Sequence, residues 1–478
     1  MNRAVTIALG MVLGYAVFQW GGVVRSDQHI WLFVLGLLAI AQGVGRARRD
    51  WAPPPAPALC WAAVLLPTYV LLQVIPLPLA ALRVLSPERA AAVDTLASIG
   101  AQLHFASLSV SPINTFRQFL LVCGYVVMFL LTRELTSRCA DRRWPMVAPI
   151  IAIGTLQAAL GLWQSLGLGL YQNYGGPGEQ PRFGTYANHN HYAGFLEMAL
   201  PFAIMYPVVV LRRKRSGTQS GLARPLVACG VWATAVTMLL GIVFSLSRMG
   251  FISALFALFI MGLLAGGSRL GWIARSKKRS WCAAAVLGGT VLASVLLLPG
   301  KLIVRFAQVA TMQGLIAEGR TKLWTETLPL IKAYGFIGCG LGGYETAFLR
   351  FKISAPLVTD NFAHNDYLQV PAELGLAGCL IVGALAFGVV RAALRGVVVS
   401  RDQEQRYFAL ACTGALAAIM LHSLADFNLY IPANAMLLAW IAGATLGNRV
   451  PGIRVNGGHR EASHKMIAGE AVEVAARY

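Results

Sequence analysis

Apolar residues along the chain are grouped into long blocks that alternate with short polar segments. Twelve of these blocks come close to the roughly 20 residues that an α-helix needs to cross a bilayer. They cover residues 4–20, 30–45, 58–78, 118–132, 145–166, 191–211, 225–247, 249–267, 281–299, 374–390, 407–424 and 430–447. The pattern therefore predicts an all-α membrane protein with about twelve transmembrane helices.

The composition of the chain excludes the soluble classes of protein. Of 478 residues, 57% are hydrophobic and only 13% are charged, whereas soluble domains carry about 25% charged residues. The mean hydropathy is +0.62. A soluble fold could not bury this much apolar surface, and a disordered chain would be far more polar.

Basic residues are concentrated in short clusters, each of which follows an even-numbered apolar block. The clusters lie within 46–49, 133–143, 212–215, 269–279 and 391–406. Because cytoplasmic loops carry an excess of Lys and Arg, the pattern predicts that these loops and both termini are cytoplasmic. The net charge of +20 thus reflects membrane topology, and we expect no nucleic acid partner.

One segment on the opposite side of the membrane is long enough to form a soluble unit. It spans 300–373, between the ninth and tenth predicted helices, and shows helical periodicity over 321–334. Residues 1–447 are predicted to form one polytopic membrane domain with this large outer loop. Residues 448–478 are polar and are predicted to form a cytoplasmic tail.

A histidine near the end of the large outer loop is the first candidate for chemistry. His364 is followed by Asn365 and Asp366, either of which could orient its ring. A neutral imidazole can accept a proton from a hydroxyl group near neutral pH. A surface histidine without a role is the alternative interpretation.

Three arginines on the outer side are candidates for binding phosphate. Arg248 lies in the tight turn between the seventh and eighth predicted helices, where its charge sits near membrane depth and indicates function. Arg182 and Arg320 lie in outer loops. Guanidinium groups bind phosphate oxygens in a bidentate fork, so several of them together suit a pyrophosphate. Contact with lipid head groups or nearby acids is the alternative for Arg182 and Arg320.

Further polar residues lie within or beside the predicted helices. The run from Asn188 to His191 opens the sixth helix, and helix capping is favoured over a metal site because no carboxylate-rich partner is evident. Glu197 lies deeper in that helix and needs an arginine or a histidine as a partner. His422 and Asp426 are four residues apart and share a helix face, which fits a structural pair or a proton relay.

Five short motifs follow one another between about residues 180 and 380. They are Gly184-Thr185-Tyr186-Ala187-Asn188-x-Asn190, Ser245-x-Ser247-Arg248, Gly319-Arg320-x-x-x-Trp324, Gly338-x-Gly340-x-Gly342 and His364-Asn365-x-x-Leu368-x-x-x-x-Glu373-x-Gly375-x-x-Gly378. With the predicted helices and the large outer loop, this order resembles the O-antigen ligase-like superfamily. That superfamily contains O-antigen ligases and the O-antigen and exopolysaccharide polymerases.

The resemblance implies a GT-C-like glycosyltransferase of the inner membrane with a periplasmic active site. Such enzymes transfer a glycan from an undecaprenyl pyrophosphate carrier to an acceptor hydroxyl without a cofactor or a metal. By resemblance, His364 is the general base, and Arg248, Arg182 and Arg320 bind the pyrophosphate. The residues expected to support them are Asn365, Asp366, Glu197, Asn188, Glu373, His422 and Asp426.

The acceptor and the exact reaction stay open at the level of sequence. Ligation to a lipid A-core acceptor and polymerisation onto another lipid-linked glycan use the same donor and the same base. A lipid-linked glycan flippase or another transporter is a more remote alternative, because Glu197, His422 and Asp426 are ionisable residues in or near membrane helices. Transporters usually hold such charges near the midplane of paired halves, whereas here they lie towards the outer end.

Overall fold

A computed structural model describes residues 2–47, 58–97, 99–138, 143–167, 183–212, 223–267, 300, 304, 320–354 and 359–448. The predicted ninth helix (281–299), Arg182 and the tail beyond residue 448 lie outside these residues. Helices dominate the described part of the chain. The two short strands that it contains, β1 (Pro76–Pro78) and β2 (Phe105–Ser107), pair with each other in antiparallel orientation.

The helices are numbered here in chain order. The first seven are α1 (Asn2–Phe18), α2 (Arg25–Ala47), α3 (Ala58–Leu72), α4 (Leu79–Leu85), α5 (Pro87–Ala97), α6 (Pro112–Arg138) and α7 (Ala148–Ser165). The next three are α8 (His189–Arg212), α9 (Ala223–Phe244) and α10 (Arg248–Gly267). The last five are α11 (Arg320–Ala333), α12 (Tyr344–Phe348), α13 (Asp366–Val399), α14 (Gln403–His422) and α15 (Pro432–Gly447).

Described helices coincide with all of the predicted membrane spans except the ninth. Within the part of the chain that the structure describes, six helices are long and apolar enough to cross a membrane, and three shorter apolar helices accompany them. The chain is therefore an all-α protein with several membrane-spanning helices, while the total of twelve spans stays a prediction. The helix expected over 321–334 is confirmed as α11. α13 begins well before the predicted residue 374 because its first turns carry buried polar side chains that hydropathy does not detect.

α8 occupies the centre of the helical bundle. Its side chains are buried along most of its length, against α7, α9, α10 and α14. α15 packs closely along α6. α8 and α10 begin at one end of the bundle, and α14 ends there. We call this end of the bundle the site end. The short helices α4 and α5 and the paired strands β1 and β2 contact one another and the chain around residues 335–345.

The glycine-rich stretch, residues 335–345, docks onto a break in α13. Gly375 has φ of 61° and ψ of −167°, which interrupts the helix. At the break the backbone N–H groups of Leu376 and Ala377 donate to the carbonyls of Gly335 and Phe336 at 3.0 and 3.1 Å. A Cβ on Gly375 would lie 2.4 Å from the Phe336 carbonyl oxygen. Only glycine allows this close approach between two backbones.

Candidate active site

His364 lies at the site end, immediately before α13. Asn365 caps that helix, since its side chain accepts a hydrogen bond from the backbone N–H of Tyr367 at 2.9 Å. The backbone of His364 has φ of 49°, a left-handed conformation that costs a non-glycine residue about 1–3 kcal/mol. Such strain persists where the surrounding structure holds a residue in place, and it is concentrated at functional sites.

The first turn of α11 holds two otherwise separate segments of the site. Nε1 of Trp324 donates to the carbonyl of Ala363 at 2.9 Å, next to His364. One turn earlier, Nη1 of Arg320 donates to the carbonyl of Ala425 at 2.9 Å, next to Asp426. Arg320 and Trp324 are four residues apart and therefore lie on one helix face. α11 thereby fixes the backbone immediately before the candidate base and immediately before its nearest acid.

Asp426 is the acid that lies beside the His364 ring. Its carboxylate is fully buried, and Oδ1 is 3.9 Å from Nδ1 of His364 and 3.4 Å from Nε2 of His191. Oδ2 is 3.8 Å from Nε2 of His422. Burial alone raises the pKa of a carboxyl group, but the three imidazoles outweigh burial and hold the pKa of Asp426 well below its usual range. The carboxylate is therefore ionised near neutral pH.

The two nitrogens of His364 have different environments. Nδ1 is buried on the side of Asp426, while 34% of the side chain as a whole is exposed. A carboxylate next to Nδ1 favours the tautomer that carries its proton there. Nε2 then has the free electron pair, and it is the nitrogen available to a hydroxyl group of a substrate.

The ring of Phe427 forms an apolar wall behind the histidines. Its centroid is 4.6 Å from that of His191 and 4.8 Å from that of His364, and both imidazoles meet it edge to face. Phe362 stacks on the same ring at 4.1 Å. The Phe427 ring is held by Phe362 and contacts both imidazoles, which limits the rotation of the imidazole rings. The positions of His191 and His364 therefore depend on Phe427.

His422 and Glu197 form a fully buried pair between α14 and α8. Nδ1 of His422 is 3.1 and 3.0 Å from the two carboxylate oxygens of Glu197. The expected partner of Glu197 is thus a histidine rather than an arginine. His422 and Asp426 do not share a helix face as predicted, because α14 ends at His422. Their side chains are still 3.8 Å apart, a looser contact than that of His422 with Glu197.

Asp366 joins the start of α13 to the segment that carries Asp426. Its Oδ2 accepts a hydrogen bond from the Ser423 hydroxyl at 2.8 Å, and its N–H donates to the carbonyls of Ser423 and Asp426. Asn365 is engaged in capping the helix. Asn365 and Asp366, which the sequence suggested as partners of the His364 ring, are thus occupied elsewhere. The carboxylate beside the ring is that of Asp426.

Glu373 organises the glycine-rich stretch. Its carboxylate accepts hydrogen bonds from the N–H groups of Gly342 and Tyr344 at 2.9 and 3.1 Å. It also accepts from the Tyr430 hydroxyl at 2.7 Å and from the amide of Gln369 at 2.9 Å. The predicted supporting role of Glu373 thus takes the form of a buried scaffold that joins α12, α13 and the segment before α15.

Arg248 is the first residue of α10 and is half-buried at the site end. The motif before it forms the turn: Leu246 has φ of 58°, and the Ser247 hydroxyl accepts from the N–H of Gly250 at 3.1 Å. A Cβ on Gly250 would lie 2.4 Å from that of Ala193. The first turn of α10 is thus pressed against α8, two residues beyond His191.

The Asn188–His191 run begins α8. The side chain of Asn188 accepts from the N–H of Asn190 at 2.8 Å, as the capping interpretation predicts. Among the described residues, no group of three or more His, Cys, Asp or Glu side chains could hold a metal ion. Metal independence stays a prediction of the resemblance.

Sequence reasoning missed the role of two residues in shaping this site. The sequence favours a helix-capping role for the run that contains His191, and it gives no sign of a role for Phe427. His191 meets Asp426, and Phe427 meets the ring of His364, only after α8, the start of α13 and the segment after α14 come together. No spacing in the sequence links the members of either pair, because they lie far apart along the chain.

Comparison with known protein families agrees with the ordered motifs. The family model described as O-Antigen ligase matches residues 233–383, which is less than half of the chain. The match includes Arg248, Arg320 and His364 and supports the O-antigen ligase-like superfamily, so the resemblance is confirmed. No curated protein matches the chain by sequence. The family and the apolar helices together support a multi-pass membrane protein with ligase- or polymerase-type glycosyltransferase activity.

Proposed function

We propose that this protein transfers a glycan from an undecaprenyl pyrophosphate carrier to an acceptor hydroxyl at the periplasmic face of the inner membrane. His364 is the general base. The observation that carries the proposal is the geometry of His364, a strained and partly exposed imidazole whose Nδ1 lies 3.9 Å from the buried carboxylate of Asp426. This is the arrangement that a base needs in order to present Nε2 to a hydroxyl group.

In the proposed reaction, Nε2 of His364 takes the proton of the acceptor hydroxyl as its oxygen attacks the first carbon of the donor glycan. The bond between that carbon and the pyrophosphate oxygen breaks, and its electron pair leaves with the pyrophosphate. Asp426 stabilises the imidazolium that forms. The distance of 3.9 Å is longer than a hydrogen bond, and catalytic hydrogen bonds often tighten only when the substrate is bound.

The leaving pyrophosphate is an anion and needs positive charge more than it needs a proton. We assign this role to Arg248 and Arg182, and also to Arg320. Arg320 uses Nη1 to hold the carbonyl of Ala425, and its guanidinium group carries further donors that can face a phosphate. Arg248 supports the assignment by its position at the start of α10, pressed against α8 near His191.

The test is a glycan profile of a strain that lacks the protein, complemented with wild type or with His364→Ala. We expect His364→Ala to be expressed and folded but to abolish transfer. His104→Ala is the matched control, because His104 is an exposed histidine outside the candidate site. Transfer at the wild-type level by His364→Ala would remove the base from the reaction.

The same gel distinguishes the two reactions of the superfamily. Full-length polymer that accumulates on its lipid carrier indicates a ligase, whereas single lipid-linked repeats indicate a polymerase. A normal profile in the deletion strain would overturn the proposed function for that glycan.

The proposed roles of the arginines and the absence of a metal have separate tests. Arg248→Lys should impair transfer strongly, because an ammonium group cannot make the bidentate contact of a guanidinium group. If Arg248→Lys used the donor as well as wild type does, Arg248 would instead have a role in membrane topology only. EDTA should leave transfer by the purified protein unchanged; loss of activity that a divalent ion restores would contradict metal independence.

A further inference from the structure

His191 is a buried titratable residue that the proposed reaction does not use. Its side chain is 8% exposed, and its Nε2 lies 3.4 Å from Oδ1 of Asp426. The same oxygen lies 3.9 Å from Nδ1 of His364. Oδ1 accepts a hydrogen bond from the backbone N–H of Phe427 at 2.9 Å. Two imidazoles from distant parts of the chain, one on α8 and one before α13, approach this same oxygen at the longer distances.

The position of His191 is fixed by its surroundings. Its backbone carbonyl accepts a hydrogen bond from the side-chain amide of Asn434 on α15 at 2.9 Å. Its ring meets the face of Phe427, which also carries the ring of His364. Because α15 and Phe427 hold it on two sides, His191 is placed to keep a constant relation to Asp426.

We propose that His191 is a positioning residue for the base, which shares Oδ1 of Asp426 with His364 and so limits how strongly this carboxylate holds a proton on His364. The inference rests on the proposed function for its role in transfer. A carboxylate whose charge acts on a second imidazole stabilises a proton on the first one less strongly. Nε2 of His364 thereby stays available to the proton of the acceptor hydroxyl.

The other charged groups around the site bear on the same balance. Asp426 also faces His422 through Oδ2, and His422 is paired with Glu197. Asp366 bonds to Ser423, and Arg320 binds the Ala425 carbonyl beside Asp426. Arg248 begins the neighbouring helix α10. The contact through Oδ1 is the one that His191 and His364 share, so a change at His191 reaches His364 through Asp426.

The experiment measures how readily His364 reacts with diethylpyrocarbonate as a function of pH, with mass spectrometry to follow the peptide that contains it. The reagent modifies neutral imidazoles, so the midpoint of the profile reports protonation of His364. The full-length protein in detergent is used, and no donor or acceptor is needed. His364 suits the method because 34% of its side chain is exposed.

In His191→Phe, which keeps an aromatic ring but has no nitrogen donor, the midpoint for His364 should rise by about one pH unit. This shift corresponds to about 1.4 kcal/mol. The acid limb of the transfer rate should move by the same amount, which lowers kcat about tenfold below the midpoint and leaves KM for the donor unchanged. Rates at alkaline pH should return to the wild-type level.

Three further variants separate positioning from a structural role. His191→Gln keeps an N–H donor and should restore a midpoint near that of wild type. His191→Met is a second donor-free variant with a flexible side chain that adapts to the space if His191→Phe does not fold. His189→Phe makes the same change two residues earlier, where the histidine contacts Phe183, and should leave the midpoint unchanged.

A double-mutant cycle tests the route of the effect. In an Asp426→Asn background, His191→Phe should not shift the midpoint further, because the shared carboxylate is gone. An unchanged midpoint in His191→Phe and His191→Met, or a full shift in the Asp426→Asn background, would overturn the inference. The measurement of the His364 midpoint does not require glycan transfer. A failure of this inference is therefore distinguishable from a failure of the proposed function, which transfer at the wild-type level by His364→Ala would show.

Discussion

Replacement of Gly375 by alanine should detach the glycine-rich stretch from α13 and disable the site. A Cβ at this position would lie 2.4 Å from the Phe336 carbonyl oxygen and 2.5 Å from the Gly338 nitrogen. Both are backbone atoms, so they cannot move aside as a flexible side chain can. Real Cβ atoms essentially never lie within 3.0 Å of another heavy atom, which means that the two segments must separate by about 0.6 Å or more.

The magnitude follows from two contributions. The backbone of Gly375, with φ of 61° and ψ of −167°, lies in a region that costs a side-chain-bearing residue about 1–3 kcal/mol. Separation also breaks the hydrogen bonds from Leu376 and Ala377 to Gly335 and Phe336, each of which contributes about 0.5–1.5 kcal/mol. Together these changes destabilise the docked state by about 2–6 kcal/mol.

Gly375→Ala should disturb the glycine-rich stretch and its neighbours before it unfolds the rest of the protein. Glu373 and the glycine-rich stretch belong to the same unit as α11, whose first turn holds the backbone beside His364 and Asp426. Limited proteolysis of the purified protein should therefore cut residues 335–345 faster in Gly375→Ala, and transfer should fall sharply. Gly383→Ala is the matched control in the same helix, since a Cβ there meets nothing within 4 Å. Equal proteolysis rates and equal transfer by the two variants would refute the reasoning.

Three other perturbations have defined outcomes. Trp324→Phe leaves the Ala363 carbonyl without its 2.9 Å donor and should cost about 1–3 kcal/mol in thermal unfolding, with a lower kcat; an unchanged kcat would show that this tie does not position His364. Ser247→Ala removes the cap of α10 and should destabilise the protein by about 1 kcal/mol, whereas no change in melting temperature would argue against the cap. The pKa of Asp426 is held below its ordinary value of 3.8, so its ionised form stabilises the fold above that pH and loses the effect only as the pH falls further. The difference in melting temperature between wild type and Asp426→Asn should accordingly persist down to about pH 4, and its disappearance already at about pH 5 would contradict an imidazole-held carboxylate.

Hydropathy by itself determined the class of the fold. A bilayer-spanning helix must satisfy its backbone internally and expose apolar side chains to lipid, so a long apolar block has one structural outcome that needs no knowledge of its neighbours. The same reasoning missed the first turns of α13, where Asp366, Gln369 and Glu373 are buried against protein rather than lipid. Their polarity is compensated by partners that local sequence does not reveal.

The individual candidate residues could also be found in the sequence. An arginine at membrane depth is unusual in chemical terms wherever it occurs, and a histidine in the outer loop can accept a proton near neutral pH. The sequence likewise indicated that Glu197 needs a partner, because an ionisable side chain inside a membrane helix is costly without one. It left the partner open between an arginine and a histidine.

Only the tertiary structure decided which groups meet. Asp426 became the neighbour of His364 in place of Asn365 and Asp366, and His191 reached the same carboxylate from α8. Such contacts join residues far apart along the chain through packing of α8, α11 and α13, and sequence spacing carries no information about them. The chemistry of each side chain is local, whereas the distances that allow a base, an acid and a second imidazole to act together are set by how the helices pack.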